Sequence, residues 1–397
     1  MQGAESPMTD AGTVRPSRFA LWGLGFRPFY LAAGLFATIS IPLWVGQYTG
    51  VLPGAWSHAM FGHAHEMLFG YAVAVIAGFL LTAVRVWTGQ PTPTGPVLAA
   101  LVLLWIAGRV TAAMPFETVA ALVDAAFPMA VAIAIGIPLA RSRNQRNYFF
   151  IVLLLLIGAA AIVYHLSLAG VARFPVLLSL QAGLDVVTFI VAVVGGRVIP
   201  MFTNNGVPGT RATRNVLVER CALASLLALL LADAMQAGPS LIAVIAAAAA
   251  IAHAVRLFLW QPWRTWPAPL VWILHASYGW IVVYLALRSS AALGLVATSL
   301  AIHALTIGAI AGMTLGMMTR TARGHTARPL KADRFEVACF VLIQCAAVSR
   351  VVGGMLLPDA YRVTIGGAGL FWTAAFAIFT VRYWPVLTRP RLDGKPG

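Results

Sequence analysis

Apolar stretches of about 20 residues recur along nearly the whole chain and limit what it can fold into. Each stretch is long enough to cross roughly 30 Å of hydrocarbon as an α-helix. Helices satisfy their own backbone hydrogen bonds, as a membrane requires. The chain has 397 residues, of which 60% are hydrophobic and only 10% charged, whereas about a quarter of the residues in soluble domains are charged. We therefore predict an all-α, polytopic membrane protein.

The hydropathy pattern predicts about twelve transmembrane helices. The weakest separations lie at Gly238-Pro239 and around residues 111–117. The predicted domain organisation is a cytoplasmic segment 1–28, a single transmembrane domain 29–387 and a cytoplasmic tail 388–397. The predicted spans are approximately 29–46, 61–84, 97–114, 118–140, 148–169, 178–199, 216–236, 239–259, 268–287, 292–318, 335–356 and 361–384.

The net charge of +15 is concentrated on one side of this predicted topology. The N-terminus, the even-numbered loops and the C-terminus hold all but five of the 27 Lys and Arg residues. Cytoplasmic loops carry such an excess of positive charge, so we expect both termini in the cytoplasm. The basic character therefore indicates topology and attraction to anionic lipid, not binding to nucleic acid.

The long connection at 200–215 divides the chain into two sets of six predicted helices. Transporters are often built from two such halves, although no clear sequence repeat accompanies the division here. A membrane transporter of a metal, a metal complex or a small anion is therefore an alternative prediction.

The tenth predicted helix has two different faces. Gly308, Gly312 and Gly316 recur at a spacing of four, and such small-residue strips let another helix approach closely. His303 lies on the opposite face, since each residue advances about 100° around a helix. We expect the glycine face to pack against a helix and the histidine face to line a site or to bond a carbonyl group.

Ionisable side chains within the predicted helices are costly in a membrane and usually mark a site. His303 lies near the predicted midplane, and a smaller group lies toward the cytoplasm: His253, Arg256 and His275. The half predicted to face the periplasm contains the larger group, which is His63, His65, Glu66, Asp124, His165, Asp185, Asp233 and Arg350, with His58 just before the second helix.

The second predicted helix presents histidines on two faces. His63 and His65 are about 200° apart around a regular helix and cannot chelate one metal ion together. His63 shares its face with Glu66, Met67 and Gly70. Imidazole suits haem iron, copper and zinc, and the thioether of methionine favours Cu(I). The pattern predicts two adjacent sites, or one ligand supported by a second histidine; hydrogen-bonded structural histidines are the alternative.

Four segments resemble the NnrS family of bacterial membrane proteins linked to nitric oxide. They are "GFRPFY" (25–30), "HAHEMLFGYAVAVIAGFLLTAV" (63–84), "GGRVIPMFTNNG" (195–206) and "HALTIGAIAGMTLGMMTRTARGHT" (303–326). The resemblance implies twelve helices, location in the bacterial inner membrane, bound haem and copper, and a role in denitrification or nitrosative stress. The family's motifs fall on His63, His65 and His303, more loosely on His275, and on Arg27 and Arg197, which could pair with a haem propionate or a lipid phosphate.

The resulting prediction is a haem- and copper-binding protein that acts on nitric oxide or a metal-nitrosyl complex, with an unidentified electron donor. Turnover would make it a nitric oxide reductase-like oxidoreductase. Alternatively, it is an accessory factor that binds haem in transit. We expect His65 and His303 as iron ligands, and His63, His58 and Met67 near copper. The carboxylates expected to relay protons are Glu66, Asp124, Asp185 and Asp233.

Overall fold

The computed structural model describes residues 19–52 and 59–395, and this part contains helices and no strands. His58, predicted to lie near copper, falls outside the described residues. The twelve long helices of the described part are α1 Phe26–Tyr48, α2 Phe61–Thr88, α3 Gly95–Ala112, α4 Glu117–Arg141, α5 Phe149–Leu168, α6 Val176–Gly206, α7 Val216–Ala234, α8 Pro239–Leu259, α9 Pro269–Ala292, α10 Thr298–His325, α11 Arg334–Leu356 and α12 Tyr361–Thr388.

The predicted number of helices is confirmed. Eleven of the described helices are long and apolar enough to cross a membrane. The remaining one, α7, carries Glu219, Arg220 and Asp233 among its 19 residues. Both weak separations are real turns, because α3 and α4 are distinct helices and α8 begins at Pro239 after α7 has ended.

The beginning of α11 shows how local sequence sets a helix boundary. The side chain of Asp333 accepts hydrogen bonds from the backbone N–H groups of Phe335 and Glu336, while Glu336 accepts one from the N–H of Asp333. This capping box satisfies N–H groups that the helix itself leaves unbonded. Partial burial acts to raise the pKa of Asp333, but the hydrogen bonds from Arg382 and these N–H groups outweigh it, and the pKa is lowered.

The two ends of the described chain meet at one end of the bundle. Consecutive helices pack against each other, and α12 packs against α1. The N–H of Ala20 donates to the carbonyl of Thr388 at 2.7 Å. The guanidinium of Arg27 donates to the carbonyls of Leu387 and Arg389. The charge pattern predicts that this shared end faces the cytoplasm.

Helices α2 and α10 lie at the centre of the bundle. In their most apolar windows, 83% of the residues of α2 and 78% of those of α10 are buried, compared with 28% for α8. The hydroxyls of Tyr71 and Thr314 join the two central helices by a hydrogen bond of 2.6 Å. A repeat of six helices would make α2 and α8 equivalent, so their unequal burial gives the 6+6 division no structural support.

Three helices contain a π-helical segment beside a predicted site residue. These segments are Glu66–Ala72 in α2, Ala304–Ala311 in α10 and Ser349–Gly353 in α11. The first begins at Glu66, directly after His65. The second begins directly after His303, and the third contains Arg350. Such segments are rare and are frequently found at functional sites.

The glycine face of α10 packs against α9, as predicted. A Cβ atom added to Gly308 would lie 2.3 Å from Cγ of Trp280, and one added to Gly312 would lie 2.3 Å from Oγ of Ser277. Gly316 also faces side chains of α9. Contact at this distance requires glycine, so the strip sets how closely the two helices approach.

Candidate functional site

A small cleft lies beside the beginning of α2. The described side chains that line it are Ser40, Trp44, His63, Glu66 and Met67, and it encloses no more than about 240 Å³. The ring of His63 stacks on Trp44 with centroids 4.1 Å apart and planes inclined by 21°. This stacking holds His63 on the opposite side of α2 from His65.

His303 of α10 and Arg350 of α11 approach His63 closely enough for their charges to interact. We call His63, Met67, His303 and Arg350 the histidine pocket. Nδ1 of His303 donates to the carbonyl of Ser299 at 2.6 Å. Because this bond occupies Nδ1, Nε2 is left with a lone pair, which is the tautomer that a metal ligand needs.

Arg350 brings a buried positive charge to this pocket. It is 4% exposed, and its Nη2 donates to the hydroxyl of Tyr361 at 2.6 Å. Its Nη1 is buried and has no hydrogen-bond partner among the described residues. An unsatisfied donor beside two imidazoles favours an acceptor or an anionic group bound in the pocket.

His65 belongs to a different cluster on the other side of α2. Its Nδ1 donates to Glu66 at 3.0 Å and its Nε2 donates to Asp124 of α4 at 2.7 Å. Arg109 of α3 donates to both of these carboxylates. His65, Asp124 and His165 are each at most 4% exposed.

His165 of α5 completes this cluster. Its Nδ1 donates to Glu117 at 2.9 Å, and its Nε2 lies 3.5 Å from Oδ2 of Asp124. The potential ligand atoms of His65, Asp124 and His165 all lie within 4.8 Å of one another. We call these three residues the His-Asp-His cluster, and two imidazoles with one carboxylate can hold a metal ion.

A third group of polar side chains lies between α6, α7 and α9. Asp185 accepts a hydrogen bond from Gln181 at 2.8 Å, and Asp233 accepts one from Arg288. Arg288 also donates to Gln181. The four carboxylates predicted as one proton relay therefore fall into two groups, and each group contains one arginine that was not predicted as a site residue.

Arg109 and Arg288 could have been found from the charge pattern. Both lie on the predicted side that carries only five Lys and Arg residues, as does Arg350. Positive residues normally concentrate on the cytoplasmic side, so arginines on the opposite side are present for a reason other than topology. Glu117 gave no such signal, because it lies at a helix end where acidic residues are common.

His65 and His303, predicted as a pair of iron ligands, lie in different clusters. His65 donates from both ring nitrogens to carboxylates, whereas His303 lies within range of the charges of His63 and Arg350. His65 can therefore bind a metal only where the ion takes the place of one of these two protons, and not together with His303. The pair that the fold brings together from α2 and α10 is His63 with His303.

Arg27 lies far from the histidine pocket. It is 17 residues before Trp44 on α1, which corresponds to about 25 Å along a helix. It holds the carbonyls at the end of α12. A haem bound beside His63 would not have a propionate within reach of this arginine.

Arg197 and His275 also lie outside the pocket. Arg197 donates to Asn147 at 2.7 Å and lies over the ring of Trp87. Trp87 is 24 residues beyond His63, or about 36 Å along α2. His275 bonds the hydroxyl of Thr203 at 2.7 Å. None of these contacts includes a residue of the histidine pocket.

The described residues of the pocket fit copper better than haem. Met67 lines the cleft with His63, and a thioether together with the imidazoles of His63 and His303 would be a donor set that suits copper. The space that a water-sized group can enter in the described part of this cleft is only about 10 Å³, far below the roughly 300–1,000 Å³ of pockets for larger organic ligands. A porphyrin does not fit between these side chains as they are packed, so we derive no chemical step through haem.

Twelve helices that enclose clusters of ionisable side chains define a polytopic membrane protein with buried polar sites. A family profile described as "NnrS protein" matches residues 20–391, a range that contains all twelve described helices. The chain belongs to the NnrS family. A comparison with curated proteins gives no match.

Proposed function

We propose that this protein binds copper in the histidine pocket and acts there on nitric oxide or a metal-nitrosyl complex, in the inner membrane of a bacterium. The observation that carries the proposal is that α2 and α10, which the hydrogen bond between Tyr71 and Thr314 joins, bring His63 and His303 within range of each other's charge, although the two histidines lie 240 positions apart in sequence. Membership of the NnrS family supports the link to nitric oxide.

His63, Met67 and His303 would hold the metal. His303 offers Nε2 in a defined orientation because Ser299 holds Nδ1. His63 is oriented by stacking on Trp44. A copper ion bound here would supply an electron-transfer centre with a coordination position for a small ligand.

Arg350 and Glu66 would act on the bound molecule. Nη1 of Arg350, which no described residue bonds, would be a donor for negative charge that develops on a nitrogen oxide, and such a preorganised donor is most effective in a site that excludes water. Glu66 is the carboxylate of the predicted relay that lines the cleft. Because it accepts a hydrogen bond from Nδ1 of His65, it would pass a proton from that imidazole to the substrate.

Transport is the competing proposal, and it has less support from the fold. The two halves of the chain place their second helices differently, since α2 is central and α8 is peripheral. Of the buried aspartates between α6, α7 and α9, Asp233 also forms an ion pair with Arg288, and Asp185 accepts a hydrogen bond from Gln181. A resident metal is the simpler explanation for the histidine pocket.

The test is to measure copper content and nitric oxide consumption on the same purified samples. We expect about one copper per chain in the wild type. His303→Gln and Met67→Leu should both weaken copper binding. For His303→Gln we expect a loss of affinity of at least about 100-fold, because even residues that only orient a ligand contribute roughly 10–100-fold. Nitric oxide consumption with ascorbate as electron donor should decrease in parallel.

His275→Gln is the matched control, because it changes a buried histidine that bonds Thr203 outside the pocket. It should retain copper and activity. Equal copper content in the wild type and His303→Gln would refute the assignment. Copper binding without any reaction or complex formation with nitric oxide would refute the proposed function.

A further inference from the structure

We propose that the His-Asp-His cluster is a second metal site, separate from the histidine pocket, which binds one divalent ion such as Zn²⁺ or Fe²⁺. The ligands would be Nε2 of His65, Oδ2 of Asp124 and Nε2 of His165. This site does not depend on the proposed function, since it shares no ligand with the copper site.

The geometry is close to that of a bound ion. Bonds of about 2.0–2.1 Å at tetrahedral angles place neighbouring ligand atoms roughly 3.3 Å apart. Nε2 of His165 lies 3.5 Å from Oδ2 of Asp124, whereas Nε2 of His65 lies 2.7 Å from it with a proton between them. An ion would replace this proton and move His65 outward by about 0.6 Å, a small side-chain rotation.

His165 provides an independent indication of a cation site. Its Nδ1 donates to Glu117, and its Nε2 faces the carboxylate of Asp124 at 3.5 Å. This Nε2 is buried and without a hydrogen-bond partner among the described residues. Buried polar atoms are rarely left in this state, and a cation held between the nitrogen and the carboxylate would satisfy it.

Both imidazoles are already oriented as metal ligands. Nδ1 of His65 is held by Glu66, and Nδ1 of His165 is held by Glu117. Carboxylates in this position define the tautomer and increase the basicity of a ligating histidine. The ring of Tyr164 stacks on His65 with centroids 4.5 Å apart, which restricts rotation of that ring further.

The charges of the surroundings also favour a cation. Arg109 pairs with both Glu66 and Asp124, and Glu117 lies beside His165. Among the described residues of the cluster the carboxylates therefore outnumber the arginine, and a cation held between them would offset negative charge that is costly at such burial.

The donor set separates this site from the histidine pocket. Two imidazoles and a carboxylate suit zinc or ferrous iron, while a site with thioether favours copper. The side chain of Glu117 is 24% exposed, so an ion can reach the cluster from that end of α4.

The experiment is a zinc titration of the purified full-length protein after dialysis against EDTA. Wild type should bind zinc at this site and release about one proton, which leaves Nε2 of His65. His165→Gln should lose one zinc equivalent per chain. His303→Gln should retain this equivalent, which distinguishes the site from the copper pocket.

Glu117→Gln is a milder second variant. It keeps a hydrogen-bond acceptor for His165 but removes the charge, and zinc affinity should decrease by about 10–100-fold. Monodisperse behaviour in size-exclusion chromatography shows that each variant is folded. The proposal is overturned if wild type binds no zinc, or if folded His165→Gln binds zinc with unchanged stoichiometry and affinity, which would leave the cluster as an ion-pair or proton-relay network.

Discussion

The structure changes the interpretation of Arg350 more than that of the other residues discussed. In the sequence it is one of five basic residues on the sparsely charged side. In the fold it lies within the π-helical segment of α11 and interacts with His63 and His303. A fixed guanidinium beside a metal site suits a substrate that gains negative charge during reaction.

Arg350→Gln should therefore lower nitric oxide turnover more than it lowers copper content. Loss of one preorganised donor costs on the order of 100-fold in rate, whereas the copper ligands are unchanged. Arg350→Lys should recover part of the rate, because it restores the charge. Steady-state kinetics with copper analysis measures both quantities.

Arg362→Gln is the control for this variant, since Arg362 belongs to the same sparsely charged side and lies near the beginning of α12. Its turnover should equal that of wild type. Equal losses of copper and turnover in Arg350→Gln would mean that Arg350 supports the fold of the pocket and not the reaction.

The histidines show how far residue-level prediction reaches. The opposite faces of His63 and His65 follow from helical geometry and agree with their separate neighbours, Trp44 and Asp124. The partner of each imidazole could not be predicted, because sequence spacing gives no order of helices around the bundle. The sequence predicted that His165 lies at a depth similar to that of His65 and Asp124, but it did not assign His165 to a site.

At the scale of elements, the π-helical segments were not predicted. Nothing in the sequence of Ala304–Ala311 differs in composition from an ordinary apolar helix. A π segment inserts an additional residue into a helical turn, and tertiary contacts decide whether it forms. Helix faces assigned from a rotation of 100° per residue are therefore accurate for residues before a π segment. For residues after it, the assigned faces are rotated.

The glycine strip of α10 was predictable, and it can be tested. Gly308→Ala places a Cβ atom 2.3 Å from Trp280, near the rigid base of that side chain. Overpacking of this kind costs about 1–3 kcal/mol. We expect a lower thermal unfolding temperature in detergent, measured by intrinsic fluorescence.

Gly366→Ala is the matched control on α12, because nothing lies within 4 Å of the Cβ position there. Its unfolding temperature should not decrease. If Gly308→Ala is as stable as wild type, the close contact between α9 and α10 is not what holds α10 in place.

At the scale of the whole molecule, composition and charge determine most of the fold class. Recurring apolar runs predicted the helices, and α7 was included although it carries three charged residues. The central positions of α2 and α10 could not be predicted, since hydropathy is similar for central and peripheral helices. Only the packed arrangement brings the second and tenth helices together.

The predicted orientation can be tested with reporter fusions. Green fluorescent protein fused after residue 395 should fluoresce, and alkaline phosphatase at the same position should be inactive, because the charge pattern predicts a cytoplasmic end. Fusions at residues 357–360, between α11 and α12, should give the reverse. Phosphatase activity at the C-terminus would invert the topology and place the histidine pocket at the cytoplasmic end.

X-ray absorption at the copper edge tests most directly whether α2 and α10 together hold a metal. The spectrum of wild type should contain the scattering of two imidazole rings and one sulfur atom, from His63, His303 and Met67. His303→Gln, reloaded with copper, should show one imidazole fewer. Identical imidazole scattering in the two proteins would contradict a metal site shared by these helices.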